Sequence, residues 1–221
     1  MNDSAPRPKR RWLTVVACLA LLAAVGAALY FIPGALRNAP DGDGTAAGNA
    51  ISLPSAAATG QMAAFVLHKK PQDVPAFAFQ DGEGREYTLA DWRGKTVLVN
   101  LWATWCAPCR EEMPALANLR KTFAGRDFDV VAISLDQKGV PAAKAFLDEI
   151  KVSDLVPYAD PTTEALRSLN SAGLPTTVLI DAQGKEIGRL LGSAVWDSPE
   201  AVRLIEATLA QGAPPGGKPQ S

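Results

Sequence analysis

The stretch that most constrains this chain is Thr96-Val97-Leu98-Val99-Asn100-Leu101, followed by Trp105-Cys106-Ala107-Pro108-Cys109 and then by Arg110-Glu111-Glu112-Met113-Pro114-Ala115-Leu116. The first run is apolar and β-branched, the signature of a buried strand. The last has helix composition and helical spacing. Two cysteines three apart, opening a helix just after a strand, are the arrangement of a redox-active dithiol. Residues i and i+3 of a first helical turn have Cα atoms about 5–6 Å apart, which a disulfide can bridge. Cys106 falls at the helix start, where free N–H groups and the positive end of the dipole favour a thiolate. Thiolate is the attacking species in exchange. Pro108 is tolerated in the first turn because its missing N–H would have had no helical partner. Cys109 lies one turn deeper, placed to close on Cys106 and expel a reduced partner.

Two other uses of the pair fit less well. A structural zinc site needs four ligands, and outside the motif the chain offers only Cys18 and His68. A static staple across so small a loop would gain little chain entropy.

Residues Trp12 to Ile32 form 21 consecutive residues without a charge, about the thickness of a bilayer core as a helix. Arg7, Lys9, Arg10 and Arg11 precede the run, while Arg37, Asp41 and Asp43 follow it. That asymmetry predicts a cytoplasmic N-terminus and a C-terminal domain across the membrane. A cleaved signal peptide shares the basic start, but its apolar core is shorter and ends in a small-residue cleavage site. Cys18 lies inside the apolar run, too early for a lipoprotein signal. The reading is therefore a cytoplasmic basic segment over 1–11, a transmembrane anchor over 12–32, a tether over 33–68, one domain over 69–211 and a disordered tail over 212–221. A short helix is expected over Gln61–Leu67. The net charge of −1 with 20% charged residues leaves no nucleic-acid footprint.

Within the domain, Phe77–Phe79 and Glu86–Leu89 flank Asp81-Gly82-Glu83-Gly84, a hairpin signal. The motif strand and its helix come next, the helix reaching about Phe123 with a kink expected at Pro114. A second buried strand covers Asp129–Leu135. Helices are expected over Val140–Ile150 and Thr162–Leu169. Strands over Thr176–Ile180 and Glu186–Leu191 are joined by Asp181-Ala182-Gln183-Gly184. Ser198-Pro199 caps a last helix to about Ala210. This order predicts an α/β domain built on a mixed sheet.

Val99 through Pro114, with Gly173-Leu174-Pro175-Thr176-Thr177-Val178-Leu179-Ile180-Asp181 downstream, resembles the TlpA/ResA group of membrane-anchored bacterial thiol–disulfide oxidoreductases. The resemblance covers roughly residues 70–210. It implies a thioredoxin fold with flanking helices, an N-terminal hairpin and a central helical insert. It also implies that Cys106 is the nucleophile, Cys109 the resolving cysteine and Pro175 a cis-proline facing the pair. Leu174 would present its backbone to an extended substrate segment, and Trp105, Ala107 and Pro108 would complete the substrate surface, with Trp105 packed beside Cys106. Glu112 would tune the protonation of Cys109. Ordinary thioredoxins carry a buried aspartate at the position of Asn100, which cannot ionise, so acid–base duty passes to Glu112. From composition alone Glu112 reads as an exposed helix residue like Glu111, and the resemblance is what turns the reading towards a role. No cofactor beyond the Cys106–Cys109 disulfide is implied, and no metal. The implied partners are disulfide- or dithiol-bearing periplasmic proteins and a membrane electron donor, in cytochrome c or cytochrome oxidase maturation at the bacterial inner membrane. Two other functions remain at this stage. A copper-handling module could use Cys106, Cys109 and His68. A thiol peroxidase would need a Pro-x-x-x-Thr-x-x-Cys setting, which Cys106 lacks.

Overall fold

A computed structural model describes residues 58–212. The anchor read over 12–32, most of the tether and the tail lie outside the described residues. Among the described residues no helix is long and apolar enough to cross a membrane.

One eight-stranded sheet organises the chain. Its strands are β1 (Val66–Asp73), β2 (Phe79–Gln80), β3 (Glu86–Tyr87), β4 (Thr96–Trp102), β5 (Phe128–Ser134), β6 (Tyr158–Ala159), β7 (Thr176–Ile180) and β8 (Lys185–Leu191), in the spatial order β1-β8-β7-β4-β5-β6-β2-β3. Strands β4, β5 and β6 are parallel, and every other pairing is antiparallel. Helix α1 (Ala107–Thr122) follows β4, α2 (Val140–Glu149) and α3 (Glu164–Ser168) lie between β5 and β7, and α4 (Pro199–Gly212) closes the chain. This is the mixed α/β sheet of the thioredoxin fold.

Every residue of β4 is buried, as expected for a central strand covered on both faces. Side chains alternate along it. Leu98 and Trp102 join α1, α2 and α4 in one core, while Val97, Val99 and Leu101 join β5, β7 and α3 in the other. Full burial of each such side chain contributes roughly 1.5–3 kcal/mol. The same alternation turns Asn100, between Leu98 and Trp102, towards the α1 side.

Helix α1 runs unbroken through Pro114. Its buried residues Cys109, Glu112, Met113, Leu116 and Ala117 recur at the helical interval, so Glu112 lies on the core stripe and Glu111 does not. Ser198 caps α4 by accepting the Ala201 N–H at 3.2 Å. The turn from β7 to β8 closes with the Gly184 N–H donating to the Asp181 carbonyl at 2.8 Å, and Gly184 takes φ +72°, a conformation that favours glycine.

Residues 60–68 depart from the sequence reading. They are not the end of a tether but part of the fold. Gly60–Met62 form a 3₁₀ turn rather than a longer helix, and β1 begins at Val66. Met62 and Phe65 are 0% and 3% exposed within the core. The sparse apolar pattern of this stretch hides β1 because β1 is an edge strand, held by β8 alone. Gly188 makes the pairing possible: a Cβ there would lie 2.6 Å from the Phe65 ring and 2.8 Å from the Val66 carbonyl oxygen. The two-residue strand β6 is also absent from the sequence reading, being shorter than any periodic signal.

Candidate active site

Cys106 and Cys109 form a disulfide with Cα atoms 5.3 Å apart. Cys106 is the N-cap of α1, with extended backbone angles, and the Cys106 N–H is tied to the Ala103 carbonyl at 3.1 Å. Cys106 is 7% exposed and Cys109 not at all, so the two residues differ in access although they lie one turn apart. Ala107 and Pro108 are exposed beside them. Trp105, next to Cys106 in the chain, is 70% exposed. Trp102 is core, with its ring 5.6 Å from that of Phe146.

The loop before the disulfide is braced by Asp136, which the sequence reading does not single out. Its carboxylate accepts the Thr104 N–H at 2.9 Å, the Thr104 hydroxyl at 2.6 Å and the Ser134 hydroxyl at 2.7 Å. The available signal was an acidic residue just past the end of a buried strand, which is too common to carry weight.

The Leu174–Pro175 peptide bond is cis. Pro175 is buried and Leu174 half-buried. The Gly192 N–H donates to the Pro175 carbonyl at 2.9 Å, joining this turn to the loop between β8 and α4.

Glu112 is 3% exposed and sits inside a set of donors. Asn100 Nδ2 donates to Oε1 at 2.8 Å, while the Ala194 N–H and Trp196 Nε1 donate to Oε2 at 3.1 and 3.0 Å. Asn100 Nδ2 also donates to Thr177 Oγ1 at 2.9 Å. Burial is the dominant influence and pushes the Glu112 pKa up to about 7, against the pull of the three donors. The group therefore changes charge near neutral pH. The sequence reading placed Glu112 beside Cys109. Its hydrogen-bond partners Ala194 and Trp196 could not be read from sequence, since they lie more than eighty residues downstream.

His68 is on β1, with Nε2 2.6 Å from Glu186 Oε1, and Glu186 is also held by Arg189 through two contacts of 2.6 Å. Gln72 approaches the other ring nitrogen at 3.3 Å. The His68 imidazole is thus engaged by Glu186 and Gln72. Among the described residues no cluster of three or more His, Cys, Asp or Glu side chains is arranged to hold a metal.

The Redoxin family model matches residues 69–205. The chain belongs to the Redoxin family. The thiol–disulfide oxidoreductase ResA of Bacillus subtilis is 33% identical over 121 residues, covering 55% of this chain and 66% of that protein. ResA of Bacillus cereus is 31% identical over 129 residues, covering 58% and 73%. Among solved structures, a Chlorobium tepidum protein assigned as the thiol:disulfide interchange protein DsbE superposes with a TM-score of 0.58 at 30% identity, covering 65% of this chain and 99% of that one. With Cys106 and Cys109 bonded at the start of α1, this Redoxin-family chain is a ResA-like thiol–disulfide oxidoreductase whose redox group is that disulfide.

Proposed function

We propose that the chain is a membrane-anchored, periplasm-facing reductant of partner-protein disulfides in cytochrome c or cytochrome oxidase maturation. The observation that carries the chemistry is the asymmetry of the pair, with Cys106 at the helix cap and slightly open and Cys109 closed off. In the reduced state the Cys106 thiolate attacks a partner disulfide. One partner thiolate leaves and a mixed disulfide forms. Cys109 gives its proton to the Glu112 carboxylate, and its thiolate attacks the Cys106 sulfur. The Cys106–Cys109 disulfide forms and the partner's second thiolate departs. The partner gains two electrons, and a membrane dithiol donor then supplies two more to re-reduce the Cys106–Cys109 disulfide, becoming oxidised itself. Leu174, ahead of Pro175, offers main-chain groups to an extended partner segment, with Trp105, Ala107 and Pro108 exposed alongside.

The apolar run over 12–32 and the basic residues before it support the placement at the inner membrane. Two experiments test the reading. Cys109→Ser should accumulate mixed disulfides with partners, whereas Cys106→Ser should not, and equal trapping by both variants overturns the assigned roles. Carbonate washing should leave the full-length protein in the membrane fraction, while a fragment beginning near residue 58, which keeps Met62 and Phe65, should be soluble. Recovery of a mature chain lacking its first thirty or so residues would show cleavage by a signal peptidase instead.

A further inference from the structure

The two oxygens of Glu112 are not equivalent. Oε2 receives two groups that can only donate, the Ala194 backbone N–H and the Trp196 indole N–H. Its lone pairs are occupied, and a proton placed there would face a donor. Oε1 receives one bond, from an amide that can present either end. Asn100 Oδ1 is buried with no partner, so the amide holds an unused acceptor. Turning it by half a rotation would present Oδ1 to a protonated Oε1. Thr177, which now accepts from Nδ2, can rotate its hydroxyl to suit either arrangement.

We propose that Trp196 is a positioning residue for thiol–disulfide exchange: its indole N–H, with the Ala194 N–H, keeps Oε2 of Glu112 an acceptor in both protonation states, so that the exchangeable proton is carried on Oε1 against the Asn100 amide. This rests on Glu112 being the group that takes the Cys109 proton. The proton moves from Cys109 Sγ to Glu112 Oε1, with no other bond broken or formed in that step.

The surroundings leave few competing charges. Cys106 and Cys109 on α1 carry no proton while bonded to each other. Arg110 is turned over the Phe146 ring, 5.0 Å from its centroid. Glu111 is exposed. On the β8–α4 loop, Asp197 is turned to Asn118 at 2.8 Å. From the sheet, β4 and β7 offer Asn100 and Thr177, neither of which ionises. Among the described residues, burial and the three hydrogen bonds set the titration of Glu112, with no charged side chain adding to them. The indole is itself held rigidly, fully buried and edge-on to Phe65 with centroids 6.4 Å apart.

The test compares Trp196→Phe, which keeps an aromatic ring and removes the donor, with Phe65→Leu, which loosens the same packing and leaves the donor. The titration of Glu112 is followed by its carboxyl infrared band in the full chain in detergent micelles, assigned by subtraction of Glu112→Gln. Loss of a donor to a buried carboxylate should raise its midpoint by about one pH unit in Trp196→Phe. Phe65→Leu should leave the midpoint where it is. The pH at half-maximal rate of mixed-disulfide resolution should move upward with the midpoint, slowing resolution about fivefold at neutral pH. An unmoved midpoint in Trp196→Phe, or an equal shift in Phe65→Leu, overturns the proposal. A midpoint that moves while the resolution profile stays fixed upholds the hold of the indole on the carboxylate and overturns Glu112 as the proton acceptor. Should Trp196→Phe not fold, the parent chain still decides. The Trp196 indole N–H should remain protected from solvent exchange above and below the Glu112 midpoint, and loss of protection on the acid side would place the proton on Oε2.

Discussion

Glu112→Gln should make the oxidised protein more stable at pH 8 by about 3 kcal/mol, and no more stable below about pH 4.5. The sign follows from the direction of the shift. Burial raises the Glu112 pKa from an ordinary 4.5 to about 7, so between those values the folded chain holds a proton that the unfolded chain has lost. Stability therefore falls as pH rises through that window, by about 1.4 kcal/mol per unit, and the loss is complete above about pH 7. Glutamine does not titrate and escapes it. Its amide also fits the donors, since its oxygen can take the place of Oε2 facing Ala194 and Trp196 while its nitrogen faces a turned Asn100. Denaturant unfolding of both proteins across this range measures the gap. A gap that stays constant from acid to alkaline pH would mean that the carboxyl titrates as it does in water. The same variant should resolve mixed disulfides more slowly near neutral pH, so here stability and exchange oppose each other.

The core of this arrangement was legible because it is local. Strand β4, the cysteine spacing and the start of α1 occupy fourteen consecutive residues, 96–109, and strand periodicity, helix capping and disulfide reach all act within that span. Ser198-Pro199 and Asp181–Gly184 were legible for the same reason, as each closes hydrogen bonds with residues three or four away. Non-local features were not. Strand β1 is built from Val66–Asp73, whose burial alternates poorly because it is an edge strand with a bulge between Leu67 and Gln72. What places it is β8, more than a hundred residues on, and the absence of a side chain at Gly188.

The site divides along the same line. The helical interval from Cys109 to Leu116 puts Glu112 on the buried face, a deduction open to sequence once the helix was placed. The donors that hold its carboxylate come from β4 and from the β8–α4 loop, and only the fold brings those together. Trp105 and Trp102 show the converse. The two are three residues apart, and one is 70% exposed while the other is fully buried, because the chain leaves β4 at Trp102 and has not yet entered α1 at Trp105.

The β8–α4 loop joins the groups that hold Glu112 to the one that holds the Pro175 turn. Ala194 and Trp196 hold Glu112, Gly192 holds the Pro175 turn, and between them Val195 is 49% exposed. Leu191, which ends β8 and pairs with Thr176, is 58% exposed. A segment with these attachments cannot shift without disturbing either the carboxylate or the cis-proline turn.

Asn100→Asp should have an effect on stability of similar size, and its sign is opposite to that of Glu112→Gln at alkaline pH. The new carboxyl oxygen would stand where Nδ2 now donates to Glu112 Oε1 at 2.8 Å. Two carboxylates at that distance in a buried site cannot both ionise, so the pair would share a proton. The two apparent pKa values would belong to the pair rather than to either residue, the upper one held well above that of Glu112 alone. In the unfolded chain both groups ionise near pH 4. The folded variant thus holds an extra proton up to strongly alkaline pH, and stability keeps falling by about 1.4 kcal/mol per unit where the parent curve has flattened. Near pH 5 the variant and parent should differ by about 1 kcal/mol or less, because a shared proton satisfies both oxygens and Thr177 can turn its hydroxyl to donate. By pH 9 the variant should be about 3–4 kcal/mol less stable, a large part of the stability of a typical domain. Unfolding curves that run parallel from pH 5 to pH 9 would show that residue 100 does not face an ionisable Glu112. Diverging curves would identify the asparagine as the residue that lets this site hold a single exchangeable proton.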